Sequence, residues 1–270
     1  MHRESRRPLL VESPANPTVR LLRELHGRKG RKEHGAFLIE GTRLVAEAVA
    51  ASWPLLVALY DHERAGSDPQ LRALVEQIPG AVPASSRAIE HACDTVTPQG
   101  IVAAARLPSG AEAPPPDEPL LLVMDGLADP GNAGTLLRSA LAAGVRTVMA
   151  VAGGGDLFAP KVVRSGMGAH FHLRLATELT WPEITRLMSP DRAVVLAESG
   201  VGMVYHSFDW RRSAALVIGG EARGPSPEAA RIATHRVTIP LEAGVESLNA
   251  AVAGSVILFE AKRQRDLSRD

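Results

Sequence analysis

The chain has 270 residues with 30 basic and 30 acidic side chains, which excludes the uniformly basic composition of many nucleic-acid-binding proteins but allows a segregated basic region. Its single cysteine, Cys93, excludes an internal disulfide and a zinc site built from clustered thiolates. No apolar run is long enough to cross a membrane and no signal-peptide pattern opens the sequence, so we expect a cytoplasmic protein of one or two domains.

Positive charge is concentrated near the start of the chain. Lysine and arginine outnumber glutamate over residues 1–35. Such a surplus is suited to contacts with phosphates. A solvated basic tail is the alternative for residues 1–12, and composition does not decide between the two.

The first half of the chain alternates predicted helices with predicted strands. A helix is expected to begin at Asn16-Pro17, because Asn caps helices and Pro suits their first turn, and to end at Gly27. The basic stretch GRKGRKEHG that follows is predicted to be a loop. Farther along the chain we predict a strand at 37–39, a helix at 44–49, strands at 55–59 and 101–105, and a helix at 70–78. This alternation predicts a small α/β domain.

Residues 108–119 form the best linker candidate in the chain. They contain three consecutive prolines together with Gly, Ser and acidic residues, a composition that disfavours both helices and central strands. We therefore expect one domain at 13–107 and a second at 120–270.

The second half shows a clearer alternation of strands and helices. Strands are predicted at 120–124, 147–151, 193–197, 215–218 and 236–239, and helices at 132–143, 160–167, 181–188 and 247–265. Continuous apolar strands separated by helices indicate a parallel sheet covered on both faces. In such sheets ligands bind beyond the carboxyl ends of the strands.

Three loops that follow predicted strands carry candidate polar groups. The first, DGLADPGNAGTLLR at 125–138, brings glycines to a helix start and contains Arg138. The second, IGGEARGPS at 218–226, holds Glu221 among small residues. The third, IPLEAGVESLNA at 239–250, offers Ser247 as the predicted N-cap of the last helix, which places Asn249 in its first turn. On spacing alone, each loop is also compatible with an ordinary strand–helix connection.

Taken together, the segments DPGNAGTLLRSA, IGGEARGPS and IPLEAGVESLNAAVAGSVILFE resemble the three signature motifs of the SpoU-type ribose methyltransferases of the SPOUT superfamily. The first half resembles that family's substrate-binding domain, which is similar to a ribosomal-protein RNA-binding fold, through NPTVRLLREL, FLIEGTRLVAEA and TVTPQGIVAA. The resemblance covers most of the chain outside residues 1–12 and the linker. One departure is Ala222-Arg223, because the second motif often continues with glycine after the glutamate.

The resemblance implies methyl transfer from S-adenosylmethionine to a ribose 2′-hydroxyl of a structured RNA, most often ribosomal RNA. It also implies a trefoil knot in the catalytic domain and homodimers formed through the last helix. From the residues themselves we expect no metal site, because the single cysteine and the histidines lack further ligands. By the same resemblance, the polar active-site positions are Asn132, Arg138, Glu221, Ser247 and Asn249. The positions that bind the cofactor are Leu196, Ala197, Gly219, Gly220, Ile239, Leu241 and Leu248.

Five basic residues are candidate RNA contacts, although each alone is compatible with a solvated surface charge. They are Lys29, Arg31, Lys32, Arg43 and Arg164. For Arg138 we expect a role in orienting the ribose hydroxyl and stabilising developing negative charge, because a guanidinium is a poor base. The apolar stripe of the last helix, from Leu248 to Phe259, is compatible with either core or a dimer interface.

Other hypotheses remain open at this point. The RNA substrate is compatible with transfer RNA as well as ribosomal RNA. A non-catalytic RNA-binding or ribosome-assembly protein would share the fold, and cofactor binding would discriminate. A small-molecule α/β enzyme is a third alternative, but the glycines at 153–155 lack a full dinucleotide fingerprint.

Overall fold

The chain divides into two compact units in a computed structural model that describes residues 10–110, 112–221 and 223–268. The first unit comprises Met1–Leu107 together with Phe158–Arg164, and the second comprises Pro108–Leu157 and Ser165–Asp270. Residues 1–9, which hold much of the predicted basic tail, and Ala222 of the second motif lie outside the described residues.

The first unit is an α/β domain around a four-stranded sheet. Its strands are β1 (Ala36–Glu40), β2 (Leu55–Asp61), β3 (Val82–Ala84) and β4 (Ile101–Arg106). Its helices are α1 (Pro17–Glu24), α2 (Arg28–His34), α3 (Thr42–Ala50), α4 (His62–Ser67), α5 (Pro69–Glu76) and α6 (Ser86–Ala92). The strand order is β1-β4-β2-β3, with antiparallel pairs except for β2 and β3.

The core of this unit joins α1 and α6 to the sheet through fully buried side chains such as Leu22, Leu38 and Ile89. Cys93 borders this core, and burial raises the pKa of its thiol to about 12. The short elements α4, β3 and α6 were not predicted, although Asp61 and Ser85 cap α4 and α6 in the way that helix-start rules describe.

The prediction of a loop at GRKGRKEHG was wrong, since Arg28–His34 is a helix that ends in the left-handed Gly35. The helix forms because of its packing against α1. A Cβ on Gly30 would lie 2.0 Å from the carbonyl oxygen of Glu24, so only glycine allows α2 to pack this closely on the end of α1. Arg31 is buried there and donates to the carbonyl oxygens of Leu25 and His26 at 2.6 and 2.8 Å.

The second unit is built on a seven-stranded parallel sheet. Its strands are β5 (Leu120–Asp125), β6 (Thr147–Val151), β7 (Arg174–Leu179), β8 (Ala193–Ala197), β9 (Met203–Val204), β10 (Ala214–Gly219) and β11 (His235–Thr238). Its helices are α7 (Pro130–Ala142), α9 (Trp181–Leu187), α10 (Pro227–Ile232) and α11 (Ala250–Asp266). The helix α8 (Pro160–Gly166) belongs to the first unit up to Arg164 and to the second unit from Ser165. The order β7-β6-β5-β10-β8-β11-β9 contains only parallel pairs, so the predicted parallel sheet is confirmed.

The beginning of the last helix differs from the prediction. α11 begins at Ala250, and Asn249 is its N-cap, because the Asn249 Oδ1 atom accepts from the backbone N–H groups of Ala251 and Val252 at 3.0 and 3.2 Å. The expected cap, Ser247, lies in the preceding coil. An Asn side chain competes well with Ser for this position, and the tertiary contacts of Asn249 decide between them.

In the part of the chain that the structure describes, no helix combines the length and apolar composition needed to span a bilayer.

Candidate functional site

The carboxyl ends of four neighbouring strands lie at one edge of the parallel sheet. The register pairs Asp125 at the end of β5 with Gly219 at the end of β10, and Ile218 with Ala197 at the end of β8. Val237 of β11 in turn pairs with Ala197. The loops that leave these strands therefore begin side by side, which is where ligands bind in open parallel sheets.

A cavity of about 550 Å³ opens among these loops. Six of the seven predicted cofactor positions line it, namely Ala197, Gly219, Gly220, Ile239, Leu241 and Leu248. Leu196 is not among the lining residues, because its side chain is fully buried in the sheet core one position before the strand ends. The volume is in the range of small-molecule and cofactor sites.

Close backbone packing shapes the floor of the cavity. A Cβ on Gly220 would lie 2.5 Å from the carbonyl oxygen of Gly126, and one on Gly219 would lie 2.4 Å from the backbone nitrogen of Pro225. Glycine is therefore required at 220 for the loops after β5 and β10 to approach each other, and at 219 for the loop after β10 to fold back on itself. Because of this close packing, backbone groups and small side chains form this part of the cavity wall.

Three of the predicted polar residues form one hydrogen-bonded chain. Asn132 donates from its Nδ2 atom to Glu221 Oε1 at 2.8 Å, and Asn249 donates from its Nδ2 atom to Asn132 Oδ1 at 2.9 Å. The Glu221 carboxylate also accepts from the backbone N–H groups of Ala128 and Asp129 at 3.2 and 3.4 Å. Residues 89 and 117 positions apart in sequence are thus joined in one network.

The same network fixes the starts of two helices. Asp129 caps α7, Asn249 caps α11, and Asn132 lies in the first turn of α7. Partial burial raises the pKa of Glu221, but the hydrogen bonds from Asn132 and from the neighbouring backbone N–H groups lower it more, so the net pKa lies below its ordinary value. Glu221 is therefore a carboxylate at neutral pH and an acceptor for all its partners.

Ser247 and Arg138 lie outside this network. Ser247 is exposed and lines the cavity from the coil before α11. Arg138 is exposed on α7 and is not among the residues that line the cavity. Its neighbour Ser139 accepts a hydrogen bond from Ser255 Oγ at 2.7 Å, which places this part of α7 beside α11.

Sequence reasoning missed two features of the site. Glu198 and Ser199 line the cavity directly after β8, and Ser199 Oγ donates to the carbonyl oxygen of Glu246 at 2.8 Å. Asp125 is buried at the end of β5 and accepts from the backbone N–H of Ser226 at 2.6 Å, which ties down the loop after β10. An acid or a hydroxyl at the end of an apolar strand was the signal available in the sequence.

Three of the candidate RNA contacts are exposed, and the other two are engaged by groups of the protein itself. Lys29, Lys32 and Arg43 are exposed, and Lys29 lies 3.6 Å from Glu33. Arg31 is buried and bonded to backbone carbonyls, so it stabilises the α1–α2 junction and does not present its charge to solvent. Arg164 forms ion pairs with Asp94 at 2.9 Å and with Glu40 at 3.8 Å.

His170, one of two histidines with strand-like spacing, is fully buried and bonds through Nε2 to the Leu157 carbonyl oxygen at 2.8 Å. Burial lowers its pKa to about 4, so the ring is neutral at pH 7. Among the described residues there is no cluster of three or more His, Cys, Asp or Glu side chains arranged to hold a metal ion.

Comparisons with known proteins match both units of the chain. Residues 119–259 match the model of the SpoU rRNA Methylase family, and residues 16–103 match the MRM3-like substrate binding domain. The human mitochondrial rRNA methyltransferase 3 is 33% identical, over 90% of this chain and 72% of that protein. A Bacillus subtilis 23S rRNA (guanosine(2553)-2′-O)-methyltransferase is 29% identical, over 93% of this chain and 98% of that protein.

A solved structure extends the comparison to the whole fold. The SpoU methyltransferase AviRb from Streptomyces viridochromogenes, in complex with the cofactor AdoMet, superimposes with a TM-score of 0.85 at 28% identity. The match covers 93% of this chain and 98% of that one.

Proposed function

Because the chain belongs to the SpoU rRNA methylase family, we propose that it transfers a methyl group from S-adenosylmethionine to a ribose 2′-hydroxyl of ribosomal RNA. The observation that carries the proposal is the cavity at the carboxyl ends of the parallel strands, bordered by the network of Glu221, Asn132 and Asn249. The domain limits remain part of the proposal: residues 13–107 bind RNA, 108–119 link, and 120–270 catalyse.

The residues around the cavity fit S-adenosylmethionine. Apolar side chains of Ile239, Leu241 and Leu248 suit the nucleoside part of the molecule, and the hydroxyl group of Ser247 suits its charged amino-acid part. When bound, S-adenosylmethionine supplies a methyl group activated by its sulfonium charge. The glycine-shaped floor leaves backbone groups available to this ligand.

Glu221, Asn132 and Asn249 act as positioning residues. The oxygens of Glu221 already accept from Asn132 and two backbone N–H groups, so the carboxylate holds the loop after β5 in place. Asn249 extends this restraint to the start of α11. Methyl transfer depends on in-line placement of the reacting groups, and a rigid frame of this kind maintains that placement.

Arg138 interacts with the RNA. Its guanidinium is exposed and forms no ion pair with any described residue, so its donors are available to a ribose hydroxyl and an adjacent phosphate. A guanidinium is a poor base, so its role is to orient the hydroxyl and stabilise the negative charge that develops on the attacking oxygen.

The protein is a homodimer through α11 in this proposal. Val252, Val256 and Phe259 are 49%, 36% and 48% exposed, and Leu248 just before the helix is 36% exposed. Ala251 and Leu258, on the other side of α11, are buried within the unit. The exposed apolar stripe therefore has the character of an interface that a second copy covers. Ser139, the neighbour of Arg138 on α7, accepts a hydrogen bond from Ser255 of α11.

The chain after β11 forms a trefoil knot in this proposal. The knot is supported by contacts between this segment and earlier parts of the chain. Glu246 accepts from Ser199, Asn249 donates to Asn132, and a Cβ on Gly254 would lie 2.6 Å from the Leu136 side chain. The resemblance to the family implies the threading, and the proposal includes action in the cytoplasm, in keeping with the bacterial 23S rRNA enzyme among its relatives.

The decisive experiment uses the purified protein, labelled S-adenosylmethionine and total RNA, ribosomal and transfer RNA together, from cells that lack this methyltransferase. We expect one 2′-O-methylated nucleotide in one large RNA, mapped by reverse-transcription stops. Methylation of transfer RNA alone would replace the substrate in this proposal. If the protein binds the cofactor but transfers no labelled methyl group to naked RNA or to assembling ribosomal subunits, the result would favour the non-catalytic assembly role instead.

A further inference from the structure

Arg223 is the one cationic side chain among the described residues that line the cavity. It comes from the loop after β10, two positions beyond Glu221, and it is exposed. No hydrogen bond or ion pair joins it to another described residue. A cation left without a protein partner at the edge of a ligand cavity is available to an anionic group of the ligand.

The acids that share the cavity wall are already engaged by other groups. Glu198 is paired with Arg236, whose Nη2 atom also donates to the Ala230 carbonyl oxygen at 3.1 Å. Glu221 accepts from Asn132 and two backbone N–H groups. Neither carboxylate is therefore the partner of Arg223, and its charge is not neutralised from within the site.

The loop that carries Arg223 is held at both ends. The backbone N–H of Gly224 donates to the Gly220 carbonyl oxygen at 2.9 Å, which closes a tight turn around residues 220–224. Just beyond, Ser226 donates to the buried Asp125 at 2.6 Å. The guanidinium is thus presented from a turn anchored to the floor of the cavity, which limits the entropy lost when it binds a ligand.

We propose that Arg223 binds the α-carboxylate of the methionine part of S-adenosylmethionine, an inference that rests on the proposed function. The methionine part carries a carboxylate, whereas the adenosine part carries no charge. A guanidinium matches a carboxylate in charge and in the fork geometry of its donors. Because the turn sets Arg223 two residues from Glu221, the cation marks the polar end of the cavity as the place of the amino-acid group.

The test compares two ligands that differ only in this carboxylate. Calorimetry on the full-length protein gives the Kd of S-adenosylmethionine and of decarboxylated S-adenosylmethionine, for the wild type and for Arg223→Met. We expect the wild type to prefer S-adenosylmethionine by about tenfold, the lower end for a charge-assisted hydrogen bond at an exposed site. Arg223→Met should lose this preference by weakening S-adenosylmethionine alone, and Arg223→Lys should restore part of it.

The matched control is Arg231→Met, which removes an exposed arginine of α10 that pairs with Glu228 outside the cavity. It should leave the Kd of both ligands unchanged. The proposal would be overturned if Arg223→Met weakened the binding of both ligands equally, or if it left the Kd of both ligands unchanged. Unchanged ligand binding together with a flatter salt dependence of RNA binding would assign Arg223 to an RNA phosphate instead. Failure of the wild type to bind either ligand would refute the proposed function itself.

Discussion

Glu221 is the residue on which the geometry of the site depends most directly. It joins the loop after β10 to the loop after β5 through three donors, one of them the side chain of Asn132. Its low pKa keeps it anionic, which suits an acceptor surrounded by N–H groups. A neutral amide in its place would turn one donor–acceptor contact into a donor–donor contact.

We therefore expect Glu221→Gln to lower kcat by about tenfold to hundredfold, the effect of leaving one or two polar groups unpaired. The Kd of S-adenosylmethionine should change by less than about threefold, because the polar frame and not the apolar wall is disturbed. Single-turnover kinetics and calorimetry measure the two effects. Glu228→Gln, which changes an exposed acid of α10, is the control. A Kd that rises as much as kcat falls would contradict the positioning role.

Arg138 presents the opposite situation, an exposed cation that no described residue engages. We expect Arg138→Ala to keep the Kd of S-adenosylmethionine and to lower turnover by about a hundredfold or more, the usual loss when one charge-stabilising donor is removed. Arg146→Ala, which removes an exposed arginine beyond the end of α7, should leave turnover intact. Loss of cofactor affinity equal to the loss of turnover would count against the RNA-directed role.

At the scale of elements, α2 is a helix because of what it packs against. Gly30 allows close contact with the end of α1, and Arg31 satisfies carbonyl groups at that end. A basic segment with an internal glycine has weak intrinsic helix preference, so its propensity alone favours a loop. The buried contacts of α2 overcome this preference.

This packing makes Gly30→Ala destabilising despite the better helix propensity of alanine. The added methyl group would lie 2.0 Å from the Glu24 carbonyl oxygen, so α1 and α2 must separate, at a cost of about 1–3 kcal/mol. Urea unfolding of the first unit measures the change. Gly66→Ala in α4 is the matched control, since a Cβ at this position would meet nothing within 4 Å. This substitution should stabilise the folded protein by up to about 1 kcal/mol, because alanine has the better helix propensity. Equal effects of the two substitutions would refute the close-packing explanation.

The exposed stripe of α11 leads to a second prediction at this scale. Replacing both Val252 and Phe259 with Asp should convert a dimer into a monomer, because charges cannot be buried unpaired in an apolar interface. Sedimentation velocity of wild type and variant measures the assembly. Leu56→Asp, which changes a 41% exposed residue of β2, should leave the dimer intact. A monomeric wild type, or a variant that remains dimeric, would exclude an interface through α11.

At the scale of the whole molecule, acid stability of the second unit depends on the buried ring of His170. Its pKa in the folded state is about 4, below the ordinary value of 6.5. As the pH falls below 6.5, the unfolded chain takes up a proton that the folded chain does not. The resulting loss of stability reaches about 3 kcal/mol by pH 4 and ends once the folded form is also protonated.

We expect His170→Gln to flatten the pH dependence of unfolding between pH 6.5 and pH 4, since an amide does not titrate and can still donate to the Leu157 carbonyl oxygen. Urea unfolding at a series of pH values, followed by tryptophan fluorescence, provides the measurement. His91→Gln, in an exposed position of α6, is the control and should keep the wild-type slope. An unchanged slope in His170→Gln would place the acid sensitivity elsewhere.

The sheet of the second unit illustrates how much of this molecule can be predicted from its sequence. The strands β5, β6, β8 and β10 consist almost entirely of apolar residues, whereas β11 has the sequence HRVT. The predicted positions of all five agree with the structure to within one residue at each end. β7, β9 and α10 were missed. The sequence of β7, RLATEL, is neither a continuous apolar run nor a strict alternation, and it contains Glu178 at a φ of 62°, so it lacks both strand signatures.

Local signals in the sequence were sufficient to predict the fold class, most strands of the second unit and the three loops that surround the site, because apolar periodicity and glycine placement act over short stretches of chain. Only the tertiary structure decided the helix at Arg28–His34, the cap at Asn249 and the burial of Leu196 behind the cavity wall. It also decided the pairing of Glu221 with Asn132, 89 positions away. The helix depends on packing against the neighbouring α1, and the other features depend on contacts between segments that are distant in sequence. The energies of these contacts appear only when the chain has folded.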